Sequence, residues 1–257
     1  VVPGDTMPTF TSMTEKGTPE VAPEMWTNAY QTALDAAAAE GKIAVLNQNP
    51  ITQLGEGWWL LPHTVEAHPE LKTVADILAR PDLFPNPENP ERGAFIGCPA
   101  GWGCQLANAN MYRAFDMEAK GWDLIDPGSA AGLDGTIANA SQQKTNWFGY
   151  YWSPTAIIGK YNMQPVDWGI EFAGDDNWAG CIALPVDDCE DPKPSAWTKS
   201  NVATVVTSDF AARASVAADY LSTRVFPGPN LNKMLVWMQE NKANGEDAAL
   251  EFLLTME

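Results

Sequence analysis

The chain has little of what several classes of enzyme and membrane protein require. It contains only two histidines, His63 and His68, and neither lies in an HxxxH metal-binding pattern or in the context of a catalytic triad. It has no GxSxG nucleophile motif, no P-loop and no GxGxxG motif after a predicted strand. It has no run of about 18 consecutive apolar residues, so no transmembrane helix is predicted. No signal-peptide pattern is found at its start. Both histidines are interpreted as surface or turn residues.

Basic residues are also scarce. The chain has 15 lysines and arginines against 33 aspartates and glutamates, which gives a formal net charge of −18. Binding to nucleic acid or to anionic lipid needs a basic face, so both kinds of partner are excluded. The excess of acidic residues is typical of a solvated protein surface. If it has a function, it is a mild attraction for cationic ligands.

The four cysteines fall into two close pairs along the sequence. Four cysteines allow three pairings in principle, but the short spacings favour the local pairs Cys98–Cys104 and Cys181–Cys189. Neither spacing is that of a zinc CxxC motif. Paired in this way, the cysteines indicate an exported protein in an oxidising compartment, whereas four reduced thiols would indicate the cytosol.

Helical patterns alternate with short strand patterns along the chain. With 45% hydrophobic content, 257 residues can form one large domain or two smaller ones. The alternation predicts an α/β fold with mostly parallel sheets. Helices are predicted at Pro23–Gly41, within His63–Ala79, and at Ser129–Gln143, Asp209–Thr223 and Asn230–Met256. Strands are predicted at Ile43–Leu46, Gly55–Pro62, Gly121–Pro127, Trp147–Pro154, Val166–Phe172 and Val202–Val206.

The most informative stretch is the turn FIGCPAGWGC, which ends at Cys104. It places Trp102 at the tip of a tight turn between two glycines, which leave backbone N–H groups open to close approach. The residues that follow, Gln105–Phe115, have helical spacing. The turn therefore predicts a rigid aromatic face at a helix N-terminus, where N–H groups and the helix dipole favour an anion. Such a site can hold a molecule that is cationic at one end and anionic at the other.

Eleven tryptophans is a high count for a chain of this length. Most aromatic side chains pack in the core, and most of these are expected to do so. The tryptophans in turns rich in glycine and proline are the better candidates for ligand contact, and they are Trp26, Trp58, Trp59, Trp102, Trp152 and Trp178.

The segment Gly174–Pro194 is acidic and irregular, and carboxylates lie at both ends of the hairpin that a Cys181–Cys189 pair would close. Hard oxygen ligands clustered in this way suit Ca²⁺, although the spacing is not that of an EF-hand loop. The alternative is a solvated acidic loop. No other cofactor is predicted, and the ligands of a structural Ca²⁺ are expected among Asp175, Asp176, Asp187, Asp188 and Asp191.

Three segments together are typical of one family. They are GTPEVAPEMW at 17–26, GCPAGWGC at 97–104 with the asparagine- and alanine-rich helix after it, and FGYYWSP at 148–154. On these motifs the chain resembles, from about residue 10 to residue 255, the substrate-binding proteins of glycine betaine/proline betaine ABC importers. The acidic loop with its cysteine pair is not shared by all members, and we interpret it as the mark of a subgroup for trimethylamine N-oxide or choline.

The resemblance implies a two-lobe periplasmic-binding-protein fold of type II, with the ligand in a cleft between two α/β lobes. The apolar strands predict that the chain crosses between the lobes near Gly57–Pro62 and returns near Ser200–Val206. Residues 1–57 and 200–257 are expected to form one lobe, and residues 58–199 the other. The resemblance also implies a periplasmic or membrane-tethered extracellular protein that works with the membrane permease of an ABC importer.

The same resemblance implies that a quaternary ammonium group is held in a box of tryptophans, which maps to Trp26, Trp102 and Trp152. A trimethylammonium group donates no strong hydrogen bond, so stacked ring faces are the chemistry that can hold it. Each cation–π contact contributes roughly 0.5–2 kcal/mol once the cation is desolvated.

Two further sets of ligand contacts are expected. Trp58 or Trp59 is expected as a fourth wall, but not both, because adjacent strand residues point to opposite faces. The resemblance implies that the ligand carboxylate meets the backbone N–H groups of Gly103 and Cys104. A helix N-terminus can supply such donors without a side-chain charge.

The predicted function is the capture of a methylated-amine osmolyte and its delivery to an importer, without catalysis. The alternative is a secreted hydrolase that uses a pair of carboxylates in a cleft between lobes. No spacing in the sequence singles out such a pair of carboxylates. The absence of catalytic histidine, serine and cysteine motifs also favours the binding protein over the hydrolase.

Overall fold

The structure, a computed structural model, describes residues 4–28 and 30–255. The chain divides into two compact units. Unit 1 contains Val1–Leu54 and Lys199–Asn230, and unit 2 contains Gly55–Thr198 and Leu231–Glu257. None of the helices within the described ranges is long and apolar enough to cross a membrane.

The elements are numbered in chain order. The strands are β1 (Val21–Trp26), β2 (Ile43–Asn47), β3 (Ile51–Thr52), β4 (Gly55–Leu60), β5 (Pro85–Asn86), β6 (Asn89–Ile96), β7 (Trp122–Ile125), β8 (Phe148–Ser153), β9 (Gln164–Pro165), β10 (Val202–Thr207) and β11 (Phe226–Pro227). The helices are α1 (Thr6–Lys16), α2 (Gln31–Ala39), α3 (Pro62–Ala67), α4 (Val74–Leu78), α5 (Gly103–Ala114), α6 (Ala130–Gln143), α7 (Ala156–Tyr161), α8 (Asp175–Asn177), α9 (Ser208–Arg213), α10 (Ser215–Thr223), α11 (Gly228–Asn241) and α12 (Gly245–Thr255).

Unit 1 is built on a three-stranded antiparallel sheet in the order β1-β10-β2, and β11 pairs in parallel with β3. The central strand β10 is buried at every position. Its one buried hydroxyl in mid-strand, Thr204, donates to the Pro23 carbonyl at 2.9 Å, so the polar group is satisfied. The apolar core beneath the sheet includes Phe10, Met13, Met25, Leu34, Ile43 and Val205.

Unit 2 is built on a larger mixed sheet in the order β5-β6-β8-β4-β9, with β7 also paired to β6. β4 and β8 pair antiparallel over their full length, from Gly55 opposite Ser153 to Leu60 opposite Phe148. β6 runs parallel to β7 and β8. The largest fully buried side chains of this unit include Trp58, Trp122, Tyr151, Phe95, Phe148 and Met111.

The prediction of mostly parallel sheets is wrong. The pairs β1–β10, β10–β2, β4–β8, β4–β9 and β5–β6 are antiparallel. Pairs such as β1–β10 and β4–β8 join strands that are far apart in the sequence. The local alternation of helix and strand therefore does not determine their direction.

Three predicted elements described below also differ from the observed ones. The helix predicted at Pro23–Gly41 begins only at Gln31, because Val21–Trp26 forms β1 at the edge of its sheet, where a proline is tolerated. The strand predicted at Val166–Phe172 is not formed. The strand that pairs with β4 is Gln164–Pro165, after which the Val166 N–H donates to the Trp58 carbonyl at 2.9 Å. The final predicted helix is two helices, since the backbone at Lys242 adopts a left-handed conformation, with φ of 52°, between them.

The observed units also divide the chain differently from the predicted lobes. Residues 231–257 group with unit 2, whereas the prediction placed 200–257 with 1–57 and left 58–199 as the second lobe. The physical reason lies in α11. Asn232 Oδ1 accepts a hydrogen bond from the Thr155 backbone N–H at 2.7 Å, and Val236 packs so closely on Gly159 that a side chain there would clash. The strands predicted to cross, β4 and β10, each belong to the sheet of one unit.

Candidate functional site

Both predicted disulfides are present. Cys98 and Cys104 are bonded with their Cα atoms 5.8 Å apart, and Cys181 and Cys189 with theirs 4.5 Å apart. The first bond closes the turn in front of α5. The second closes the acidic segment, which forms short helical turns and not the expected hairpin. Both pairings inferred from the spacing are therefore confirmed.

The turn presents Trp102 as the residue that immediately precedes α5. Its backbone is extended, with φ of −92° and ψ of 148°, and its side chain makes no capping hydrogen bond to the helix. Gly101 before it has φ of +89°, a conformation that favours glycine. The first turn of a helix leaves backbone N–H groups without intrahelical acceptors, and here those groups belong to Gly103 and Cys104.

The indole of Trp102 lies against the indole of Trp152, which is near the end of β8. The ring centroids are 5.3 Å apart and the ring planes are 80° from parallel. Trp152 is itself stacked on Tyr151, at 4.5 Å and 20°. Both tryptophans are half-buried. Two of the three tryptophans predicted for the box thus meet at a right angle within unit 2.

Two residues that the sequence analysis missed adjoin Trp152. Glu56 lies directly opposite Trp152 in the β4–β8 register, and it accepts a hydrogen bond from the Tyr150 hydroxyl at 2.8 Å. Burial raises the pKa of Tyr150 well above its ordinary value, and the nearby Glu56 carboxyl raises it further, so the hydroxyl remains a donor. The position of Tyr150 beside Trp152 could have been predicted, because the two residues are two apart in the predicted strand and therefore share one of its faces.

A chain of aromatic contacts continues from this point into the core. Trp197 packs against Tyr150 with centroids 5.4 Å apart, and against Trp178 at 5.1 Å. Trp178, a candidate for ligand contact from its sequence context, is 5% exposed and also packs on Phe172. Its observed role is packing.

The structure buries both tryptophans that were candidates for a fourth wall. Trp58 is 1% exposed and its indole N–H donates to Asn108 Oδ1 at 2.8 Å. Trp59 is 7% exposed and its indole N–H donates to the Tyr151 carbonyl at 2.9 Å. Because both faces of β4 are covered by other parts of unit 2, neither ring presents an open face to a ligand.

The third predicted box residue, Trp26, belongs to unit 1. It ends β1 opposite Val202, is half-buried, and donates its indole N–H to Glu24 at 2.8 Å. Its contribution to a ligand box stays a prediction.

The five aspartates predicted as Ca²⁺ ligands do not converge. Within the described ranges, no group of three or more His, Cys, Asp or Glu side chains is placed so that it could hold a metal ion. Asp175 and Asp176 begin the short helix α8, Asp187 and Asp188 lie in a helical turn, and Asp191 pairs with Lys193. The geometry gives the calcium hypothesis no support.

The calcium hypothesis predicts a measurable change in thermal stability. If the hairpin binds Ca²⁺ in solution, a chelator should lower the melting temperature, and added Ca²⁺ should restore it by mass action. The measurement is a thermal unfolding scan in EGTA and across a Ca²⁺ titration. A melting temperature that does not change would contradict the hypothesis.

Comparison with solved structures shows the fold. An "ABC-transporter choline binding protein in complex with choline" has a TM-score of 0.66 and 16% identity, over 95% of this chain and 74% of that one. The glycine/betaine/L-proline-binding protein ProX from Borrelia burgdorferi has a TM-score of 0.66 and 12% identity, over 97% and 79%. Lactococcal OpuAC, in its closed conformation with glycine betaine, has a TM-score of 0.66 and 15% identity, over 97% and 81%. The chain therefore has the two-lobe periplasmic-binding-protein fold.

None of the curated proteins compared with the chain matches it in sequence. A family model does: the substrate binding domain of ABC-type glycine betaine transport system, OpuAC, matches residues 1–254. Members of this family are substrate-binding domains and not enzymes, which removes the hydrolase alternative. The chain belongs to the OpuAC family of substrate-binding domains of ABC-type glycine betaine transport systems.

Proposed function

We propose that this protein captures a methylated-amine osmolyte, such as glycine betaine or trimethylamine N-oxide, outside the cytoplasm and delivers it to the membrane permease of an ABC importer. The observation that carries the proposal is the right-angled pair of Trp102 and Trp152 at the N-terminus of α5. Choline and glycine betaine, the ligands named for two structures of the same fold, both carry the trimethylammonium group that such a pair suits.

The cationic end of the ligand is matched by the two indoles. Rings at 80° to each other form a corner whose two faces can contact the methyl groups of one ammonium ion. Each contact is worth roughly 0.5–2 kcal/mol when water is excluded. Trp152 is held in place by its stack on Tyr151, so little side-chain entropy is lost when the ligand binds.

The anionic or polar end is matched by the start of α5. The N–H groups of Gly103 and Cys104 follow Trp102 directly, so donors for a carboxylate or an N-oxide oxygen lie beside the aromatic corner. The Glu56 carboxyl, opposite Trp152 on β4, adds a group that favours a cationic head over an uncharged one.

Calorimetric titration tests the proposal. The ligands are glycine betaine, choline, carnitine, dimethylsulfoniopropionate and trimethylamine N-oxide, and the control is 3,3-dimethylbutyrate, the uncharged-head analogue of glycine betaine. The proposal expects saturable binding of at least one methylated cation and weaker binding of the control by ~10-fold or more, because the control has no cation–π term. If the protein bound none of the five ligands, or bound the control equally well, the proposal would be wrong.

The disulfide at the turn is expected to affect affinity as well as stability. Replacing Cys98 and Cys104 with serine frees the turn that carries Trp102, so we expect glycine betaine to bind about ten-fold more weakly, which corresponds to about 1.4 kcal/mol. The matched control replaces Cys181 and Cys189 with serine. In the chain-entropy model each loss lowers stability by no more than about 3 kcal/mol. Equal affinities of the two double variants in calorimetry would contradict the prediction.

A further inference from the structure

The side chain of Asn108 forms a buried hydrogen-bonded link inside unit 2. Asn108 lies on α5 and is 1% exposed. Its Oδ1 accepts the indole N–H of Trp58 at 2.8 Å, and its Nδ2 donates to the carbonyl of Cys104 at 2.9 Å. One amide thus ties strand β4 to the first turn of α5.

The two ends of this link attach to the elements that support the two indoles of the aromatic pair. Cys104 is two residues after Trp102, so the Nδ2 end restrains the helical turn that carries this ring. Trp58 lies on β4, which pairs along its whole length with β8, the strand that carries Trp152. The amide therefore fixes the support of one indole relative to the support of the other.

The turn also has one covalent restraint, which leads to β6, a strand that itself pairs with β8. The disulfide joins Cys104 to Cys98, which follows the end of β6 at Ile96. The link to β4 runs through Asn108 instead. A cation–π contact needs the cation within about 6 Å of each ring centroid, so a shift of an ångström or two between the rings weakens one of the two contacts.

We propose that Asn108 is a positioning residue that holds Trp102 at the correct angle and distance from Trp152, and that it thereby sets the affinity for the ligand. The inference rests on the proposed function and deepens it. Asn108 itself need not touch the ligand, since both ends of its amide are already engaged within the protein.

The same helix supplies a matched control in Asn110. This residue is 0% exposed, and its Nδ2 donates to the carbonyls of Cys181, Ile182 and Leu184 at 3.3, 3.1 and 2.8 Å. Its hydrogen bonds hold the acidic segment that the second disulfide closes, and not the turn of Trp102. The same substitution at Asn110 removes a buried amide of the same kind and leaves the link to β4 intact.

The test compares Asn108→Leu with Asn110→Leu. Both changes remove buried hydrogen bonds and should lower the melting temperature. We expect only Asn108→Leu to raise the Kd for glycine betaine, by ~10-fold or more, while Asn110→Leu changes it by less than about two-fold. The near-ultraviolet circular dichroism of the coupled indoles, which needs no ligand, should change in Asn108→Leu and be preserved in Asn110→Leu.

A second variant covers the case in which Asn108→Leu does not fold. Trp58→Phe keeps a packed ring but removes the N–H that Asn108 accepts, and we expect a Kd raised about three-fold or more. The inference is overturned if the folded Asn108→Leu or Trp58→Phe binds within two-fold of wild type, or if Asn110→Leu weakens binding as much. If wild-type protein binds none of the methylated ligands, the proposed function fails instead, and the circular dichroism still tests the positioning role.

Discussion

Replacing Trp102 with alanine is expected to weaken the binding of glycine betaine by roughly 5- to 150-fold, which corresponds to ~1–3 kcal/mol. The change removes one ring of the right-angled pair and exposes the indole of Trp152 to water; the two ring centroids lie 5.3 Å apart in the wild type. Calorimetry on the folded variant measures the loss directly. Trp102→Phe should cost less, because a weaker ring face remains.

Two comparisons make this result specific. Trp152→Ala and Trp26→Ala are expected to lose affinity within the same range, since both residues are predicted walls of the box. Trp237, half-buried on α11, is the control, and its truncation should lower stability but leave the affinity of the folded fraction nearly unchanged. If Trp102→Ala bound a trimethylammonium ligand as well as the wild type does, the aromatic assignment would be wrong.

The local features of the site could be predicted because they are encoded in adjacent residues. The glycine with φ of +89°, the short cysteine spacing and the helical pattern after Trp102 all lie within one stretch of sequence. Turn chemistry of this kind depends on neighbouring residues only. The disulfides and the helix start were therefore predictable from the sequence.

The features that could not be predicted depend on pairing between distant segments. The Tyr150–Glu56 hydrogen bond joins residues 94 positions apart, and the Asn108–Trp58 link joins residues 50 apart. Both depend on the register of β4 and β8 and on the packing of α5. Tertiary contacts of this type also bury Trp58 and Trp59. The glycines that precede these two residues had instead suggested that one of the rings would be accessible to a ligand.

Composition alone also could not separate the tryptophans that pack from those that bind. The side chain of Trp122 is 0% exposed, and its indole N–H donates to the Leu78 carbonyl at 3.0 Å. Its ring contacts Phe84 and Phe148 with centroids 5.5 and 5.4 Å away. A Cβ on Gly93 would come within 2.8 Å of this ring, so the space around it is filled. Trp122 is therefore a packing residue of unit 2.

Trp122→Ala is accordingly expected to lower the free energy of unfolding by ~3–5 kcal/mol. Truncation leaves a cavity in a closely packed region, and the Leu78 carbonyl loses its buried donor. Trp122→Phe keeps most of the apolar contact and should cost less. Urea unfolding with the slope checked against wild type measures the change. Because Trp122 lies outside the aromatic corner, the folded fraction should bind glycine betaine as the wild type does. A variant with unchanged stability but reduced affinity would contradict the assignment of Trp122 as a packing residue.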